Sequence, residues 1–332
     1  MDKQVVISYK SILFAFALIL ALYIVYRLGP IIGLFLVSLI IVFAVEPVIK
    51  RIMTIVVLNR PLSRGFAVCI TYLLLVIVLA LTVTVGLPPI VSQIQKLIKN
   101  FGTIVTDLQL PQRFNIQVSD ILPQASKVSE GLISTLLSLF SNLTTMITLL
   151  ILSLYMSLDW VNIKSKFLSF FPGHARQEVK EIVEEIEFNM GQWVKGETFL
   201  MFVVGMLCFI GLMVLDVQYA SALGLVSGML EIVPMLGPIL SAVIAAVVGF
   251  SDSTIKGVGV LALYVIVQQL ENNLLVPKVM QRVSGSSPLI ILLALMVGSE
   301  FFGIAGAILA VPLTMIITVI VKRLLRFDNY LN

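Results

Sequence analysis

Two glutamates lie inside the most apolar stretches of the chain, in look-alike settings. Glu231 stands in Gly-Met-Leu-Glu-Ile-Val-Pro-Met-Leu-Gly-Pro-Ile-Leu (228–240), and Glu300 in Val-Gly-Ser-Glu-Phe-Phe-Gly-Ile-Ala-Gly-Ala-Ile-Leu (297–309). Each is followed six residues later by a glycine (Gly237, Gly306) and two residues beyond that by Ile-Leu. An ionisable side chain in hydrocarbon is expensive and marks a functional position. Gly228, Pro234, Gly237 and Pro238 around the first glutamate, and Gly303, Gly306 and Pro312 after the second, break the helical run where the charge sits. Broken backbone at membrane depth is tolerated where it lines a cavity, and paired interrupted segments point to a transporter's binding site. At such a tip a carboxylate can take a proton or help hold a cation, and competition between the two couples their movements. Carbonyls freed at the breaks suit cations and exposed amides suit anions, a choice the sequence leaves open. The plainer reading is a glutamate at the membrane surface that caps a hairpin arm.

A second polar group is Gln268-Gln269-Leu270-Glu271-Asn272-Asn273, ahead of Val276-Pro277-Lys278. Gln268, Glu271 and Asn272 fall at i, i+3 and i+4, on one helix face. They can line a polar path, hydrogen-bond neighbouring helices, or form the wet end of a span. Ser227, Ser241 and Thr314 add hydroxyls that also serve as packing groups in membrane helices.

These residues need a membrane scaffold to hold them. Hydrophobic residues are 59% of the chain and charged residues 12%, against roughly a quarter charged in soluble proteins. The class is an all-α polytopic membrane protein. The net charge of +4 belongs to basic inter-span loops, so nucleic acid is not expected as a partner. Cys69 and Cys208 lie in apolar runs and read as buried small hydrophobes. With one histidine, His174, no Cys/His metal cluster is expected, and neither is a cofactor. No hydrolase, nucleotide-binding or phosphate-loop motif is present, so the chain does not read as an enzyme.

Spans of about 20 apolar residues divide the chain. Residues 1–90 hold spans 1–3, with Gly29-Pro30 as the turn between Ser11–Leu28 and Ile31–Val45. Residues 91–131 form an extracytoplasmic amphipathic segment, 132–158 span 4, and 159–197 a charged cytoplasmic helical segment. The acidic residues there, Glu178 to Glu187, read as a solvated face. Residues 198–332 form the C-terminal core, with hairpins over 217–250 and 288–321. The basic loop from Lys50 to Arg64 and the tail with Lys322, Arg323 and Arg326 orient both termini to the cytoplasm. The hairpins then enter from opposite faces, a possible inverted repeat within about eight passes; their arms are re-entrant or fully spanning.

Beyond these residues, the chain resembles the autoinducer-2 exporter family, also called PerM-like permeases. The resemblance rests on Glu46-Pro47, Gly191-Gln-Trp-Val-Lys-Gly-Glu197, Glu231-Ile-Val-Pro-Met-Leu-Gly-Pro238, Gln269-Leu-Glu-Asn-Asn-Leu-Leu-Val-Pro-Lys278 and Gly303-Ile-Ala-Gly-Ala-Ile-Leu-Ala-Val-Pro312, in order along nearly the whole chain. It implies about eight passes, a cytoplasmic N-terminus and secondary transport in the cell membrane. Members are linked to export of a furanone-type signal or to cation/proton antiport, and some relatives have only sporulation or stress roles. The chain departs from the family where many members carry Gly-Gln, since Gly196-Glu197 stands there. The expected partners are lipid, a small polar solute or sodium and protons or both, and further copies of the chain. The competing reading is a non-transporting membrane scaffold whose 91–131 or 159–197 segment binds a partner; a channel is a weaker third.

Overall fold

The computed structural model describes residues 9–57, 60–81, 84, 88, 92–93, 95–96, 143–279 and 287–328. The segment expected at 91–131, apart from four residues, lies outside these, as does the first part of span 4. The described chain is helical apart from a two-residue antiparallel pair, Val56–Val57 with Arg60–Pro61, which turns the chain between its first two helices.

The first helix, α1, runs unbroken from Tyr9 to Met53. The expected turn at Gly29-Pro30 is therefore not made. Leu28 and Ile31 flank that dipeptide, and a turn among apolar residues would leave several backbone groups without partners. Proline inside the helix sacrifices one hydrogen bond. At 1.5 Å per residue its 45 residues amount to about 68 Å of helix, so its two apolar halves follow one another in one helix and do not form an antiparallel pair of spans. Helix α2 covers Arg64–Leu81, and α3 covers Leu143–Leu158. The chain then bends by 66° into the short α4, Trp160–Ser169. Cys69, expected to be buried, is exposed on α2, whereas Cys208 is buried.

Helix α5 spans Gly173–Val214 without a stop at 197. Its charged half and its apolar half are one rod. The acidic face of that rod is paired, not merely solvated. Lys164 lies 3.4 Å from Glu184 and 3.3 Å from Glu187, and Arg323 lies 3.3 Å from Glu181 and 2.9 Å from Glu185. The indole of Trp160 donates to Glu187 at 2.8 Å.

Two helical hairpins follow. In the first, α6 (Ala220–Leu230) and α7 (Leu236–Asp252) are joined by a tight break. At 1.5 Å per residue the 11 residues of α6 reach about 16 Å, half of a hydrocarbon core of about 30 Å, so this arm cannot span. Helix α8, Thr254–Leu270, starts on Ser253, whose hydroxyl accepts from the Lys256 amide at 3.2 Å. Its end widens into a π-turn, Glu271–Leu275, before Val276–Val279. The second hairpin is α9, Pro288–Asp328, broken at Gly303 (φ 59°, ψ −142°). That conformation is open to glycine and strained for any other residue.

The hairpin mouths lie at opposite ends of α5. Lys256 ties Asp216, just beyond the C-terminal end of α5, to Asp252 at the end of α7. Arg323, near the end of α9, binds the N-terminal half of α5 instead. Glu185 and Val214 are about 44 Å apart along the rod at 1.5 Å per residue. The hairpins meet where Val233, in the first break, packs on Leu295, Ala307 and Ala310 of the second.

Candidate functional site

Glu231 stands at the C-terminal end of α6, where the helix stops. Its amide still bonds Ser227 O at 3.2 Å, and Ile232 and Val233 close the turn onto Met229 and Leu230. Met235 then adopts a positive φ of 67°. Gly237 follows because the chain doubles back on itself: a Cβ there would lie 1.9 Å from Leu230 O. Pro234 and Pro238 are half-buried within this fold. On the facing side, Gly228 lets α6 press against α5, since a Cβ on it would lie 2.5 Å from Met201 O. Close approach through small residues is how membrane helices pack without a hydrophobic drive between them. The result is a glutamate that is only 3% exposed.

Two further glutamates close on it. Glu271, 6% exposed, opens the π-turn of α8, and Glu197, 6% exposed, comes from the middle of α5. The carboxyl groups of Glu231 and Glu271 meet within hydrogen-bonding reach, and Glu197 lies within electrostatic reach of both. The Gln268 amide donates to Glu271 Oε2 at 3.0 Å. Among the described residues, Glu231 Oε2 is buried with no donor. π-turns recur at functional sites because the extra residue re-aims side chains. Here the register shift follows Gln268 and separates the three residues expected on one face. Glu271 is buried and Gln268 half-buried, whereas Asn272 is exposed. Among the described residues, no three His, Cys, Asp or Glu side chains converge as a metal cage.

Beside the carboxyls the core stays polar for one more layer. Ser227 Oγ and Tyr264 OH lie 2.6 Å apart, fully enclosed, and Ser227 also donates to Leu223 O at 2.8 Å. Apolar residues then take over: Val204, Leu212, Leu223, Val248 and Val260 pack with Cys208.

Glu300 is not part of this group. It is exposed, three residues before the break, within the first arm of α9. Gly306 is buried and Gly303 exposed at the bend. A Cβ on Gly298 would lie 2.5 Å from Gly306 O, so the arms touch there. Pro312 is buried in the second arm, and Thr314 bonds back to Ala310 O at 2.7 Å.

Glu197 was not among the expected site residues. Its signal was present: a carboxylate at the edge of an apolar run, at the Gly196-Glu197 step where the chain departs from the Gly-Gln that the family resemblance implied. A fourth buried glutamate, Glu46, has a different setting. Arg64 grips it through two bonds of 2.8 Å and also reaches Ser157 O at 3.0 Å, locking α1, α2 and α3 together. Arg64 is thus an internal partner, not a loop charge.

Comparison with known proteins shows the family of the chain. The profile of the AI-2E family transporters matches residues 12–326. YueF of Bacillus subtilis (strain 168), which carries a transport-protein name, is 30% identical over 314 residues, covering 88% of this chain and 83% of that protein. The AI-2 transport protein TqsA of Escherichia coli (strain K12) is 26% identical over 307 residues, covering 85% of this chain and 87% of its own. The sodium-lithium/proton antiporter of Halobacillus andaensis is 25% identical over 292 residues, covering 77% and 80%. With helices able to cross a membrane and a profile match over nearly its whole length, the chain is a multi-pass membrane protein that belongs to the AI-2E transporter family.

Proposed function

We propose that this protein is a secondary transporter whose coupling site is the Glu197–Glu231–Glu271 cluster, and that it exchanges protons for a monovalent cation such as sodium. The observation that carries the reading is Glu231, whose Oε2 is buried without a hydrogen-bond partner among the described residues and whose carboxyl interacts with that of Glu271. Ionised carboxylates only accept hydrogen bonds, so two that meet need a proton or a cation between them. A buried charge without either is strongly disfavoured. Glu231 is the exchanging group, Glu271 shares its proton or ion, and Gln268 orients Glu271. Glu197 raises the negative potential that draws the cation in. Hairpins opening toward opposite ends of α5 supply a frame for alternating access. The relative from Halobacillus andaensis bears a sodium-lithium/proton antiporter name.

A second reading keeps the same site but drives efflux of a small polar solute with protons; the name of TqsA favours it. Everted membrane vesicles with a pH-sensitive dye separate the two. Sodium or lithium pulses should collapse a preformed proton gradient in wild type and leave it intact in Glu231→Gln. If the pulses do nothing in wild type while an added solute does, the efflux reading takes over. If Glu231→Gln behaves as wild type in both assays, the site assignment fails.

A further inference from the structure

A groove of about 440 Å³ opens between α4 and the start of α5, far along the rod from the carboxyl cluster. Three cations line it: Lys164, Arg176 and Lys180. Ser165 and Gln177 supply neutral polar groups, and among the described residues no carboxylate is in the lining. Lys164 is shared with Glu184 and Glu187, but among the described residues neither Arg176 nor Lys180 makes a salt bridge. Their charge is unspent. The first turn of α5, whose leading amides precede the Arg176 N to Pro172 O bond, opens onto the same groove at Gly173.

The wall of the groove is built for an interface. Helix α4 leaves α3 at 66°, so if α3 crosses the bilayer, α4 lies toward its plane. It is fastened inward by Trp160, bonded to Glu187, and by the buried Leu168. Outward it shows Val161 and Phe167, and Phe170 just beyond its end is 83% exposed. Aromatic and aliphatic groups beside lysines mark a helix that rests at the headgroup boundary. Val161 lines the groove beside the cations, and Phe167 and Phe170 add exposed apolar surface to the same short helix and its end, on the side that the loop charges orient to the cytoplasm.

We infer that this groove binds the phosphate headgroup of an anionic phospholipid. Arg176 and Lys180 hold the phosphate oxygens, as guanidinium and ammonium groups do, while Val161, Phe167 and Phe170 meet the acyl chains. A free anion would use the cations but gain nothing from the apolar rim, and a zwitterionic lipid would use the rim but bring its own positive charge. The inference needs only that the chain sits in a membrane; it is independent of the transport reading.

The test is thermal unfolding of the purified full chain in neutral detergent, with additions of phosphatidylglycerol, phosphatidylcholine or inorganic phosphate. Phosphatidylglycerol should raise Tm by several degrees, and the other two should not. The double variant Arg176→Gln/Lys180→Gln should match wild type without lipid and lose most of the phosphatidylglycerol shift. Ser165→Asp, which places a carboxylate in the groove, should weaken the shift as well and stands in if the double variant does not fold. Equal stabilisation by phosphatidylcholine, equal stabilisation by phosphate, or a full phosphatidylglycerol shift in the variants each overturns the proposal.

Discussion

The two hairpin tips carry the same local sequence pattern and opposite environments. In the first, the helix breaks at the glutamate itself: α6 ends at Leu230, and Glu231 turns inward against α5 and the π-turn of α8. In the second, the helix continues past Glu300 and breaks three residues later at Gly303, leaving the carboxylate on an exposed face. The glycines explain the breaks but not the side-chain directions. Gly237 forces a doubling back next to the charge, whereas Gly298 and Gly306 hold the arms of α9 together and leave Glu300 outside. A pattern match between segments therefore locates flexible points; the residue at which the helix stops decides what becomes buried.

The sharpest way to break this contrast is to neutralise each glutamate in turn. Glu231→Gln should lower proton-coupled transport in vesicles by more than about tenfold, equivalent to over ~1.4 kcal/mol, while Glu300→Gln should transport near the wild-type rate. Equal losses would restore the tips as a functional pair and sink the distinction drawn here.

Glu46 offers a control for burial itself. It is as buried as Glu271 but is fully partnered by Arg64. Removing one member of a buried ion pair costs about 3–5 kcal/mol because the other is left uncompensated. Arg64→Ala should therefore destabilise the fold strongly, read as a large fall in Tm, and Glu46→Gln/Arg64→Gln should recover part of it. A mild effect of Arg64→Ala would mean that water reaches Glu46, and that burial alone does not set Glu231 apart.

The glycines give the next effects. Gly237→Ala meets backbone, which cannot yield without reshaping the tip, so it should cost about 1–3 kcal/mol or more and reduce transport with it. Gly303→Ala should cost about 1–3 kcal/mol of strain with transport largely retained, because no neighbour lies within 4 Å of its added methyl. Loss of transport in Gly303→Ala without loss of stability would make the second bend a moving part. The smallest change is expected at Arg323→Ala. Its partners Glu181 and Glu185 are well exposed, so about 0–1 kcal/mol is at stake, measurable as a slight Tm decrease that shrinks further in high salt.

Much of this protein was legible in its residues. Apolar runs and low charge dictate membrane helices, because no backbone can leave its hydrogen bonds unmade in hydrocarbon. Glycine and proline at 228–238 and at 303–312 marked the two breaks. Gly29-Pro30 misled, because a proline within an apolar run is cheaper to carry inside a helix than to surround with a turn. The cluster at Gln268–Asn273 was visible as polar, yet its facing followed from the π-turn, which shifts register by one residue and hides Glu271 while exposing Asn272.

By itself the sequence determined the class, the hairpin breaks and the presence of carboxylates that hydrocarbon would not accept uncompensated. These are properties of short stretches of chain, settled by transfer cost and backbone sterics. Only the tertiary structure decided which carboxylates meet. Glu197, Glu231 and Glu271 come from three elements, and the first and last are 74 positions apart, by the difference of their numbers. They converge because small residues let α5 and α6 approach, and because α8 widens where it passes them. Close approach of distant segments depends on packing against neighbours, which no local pattern encodes.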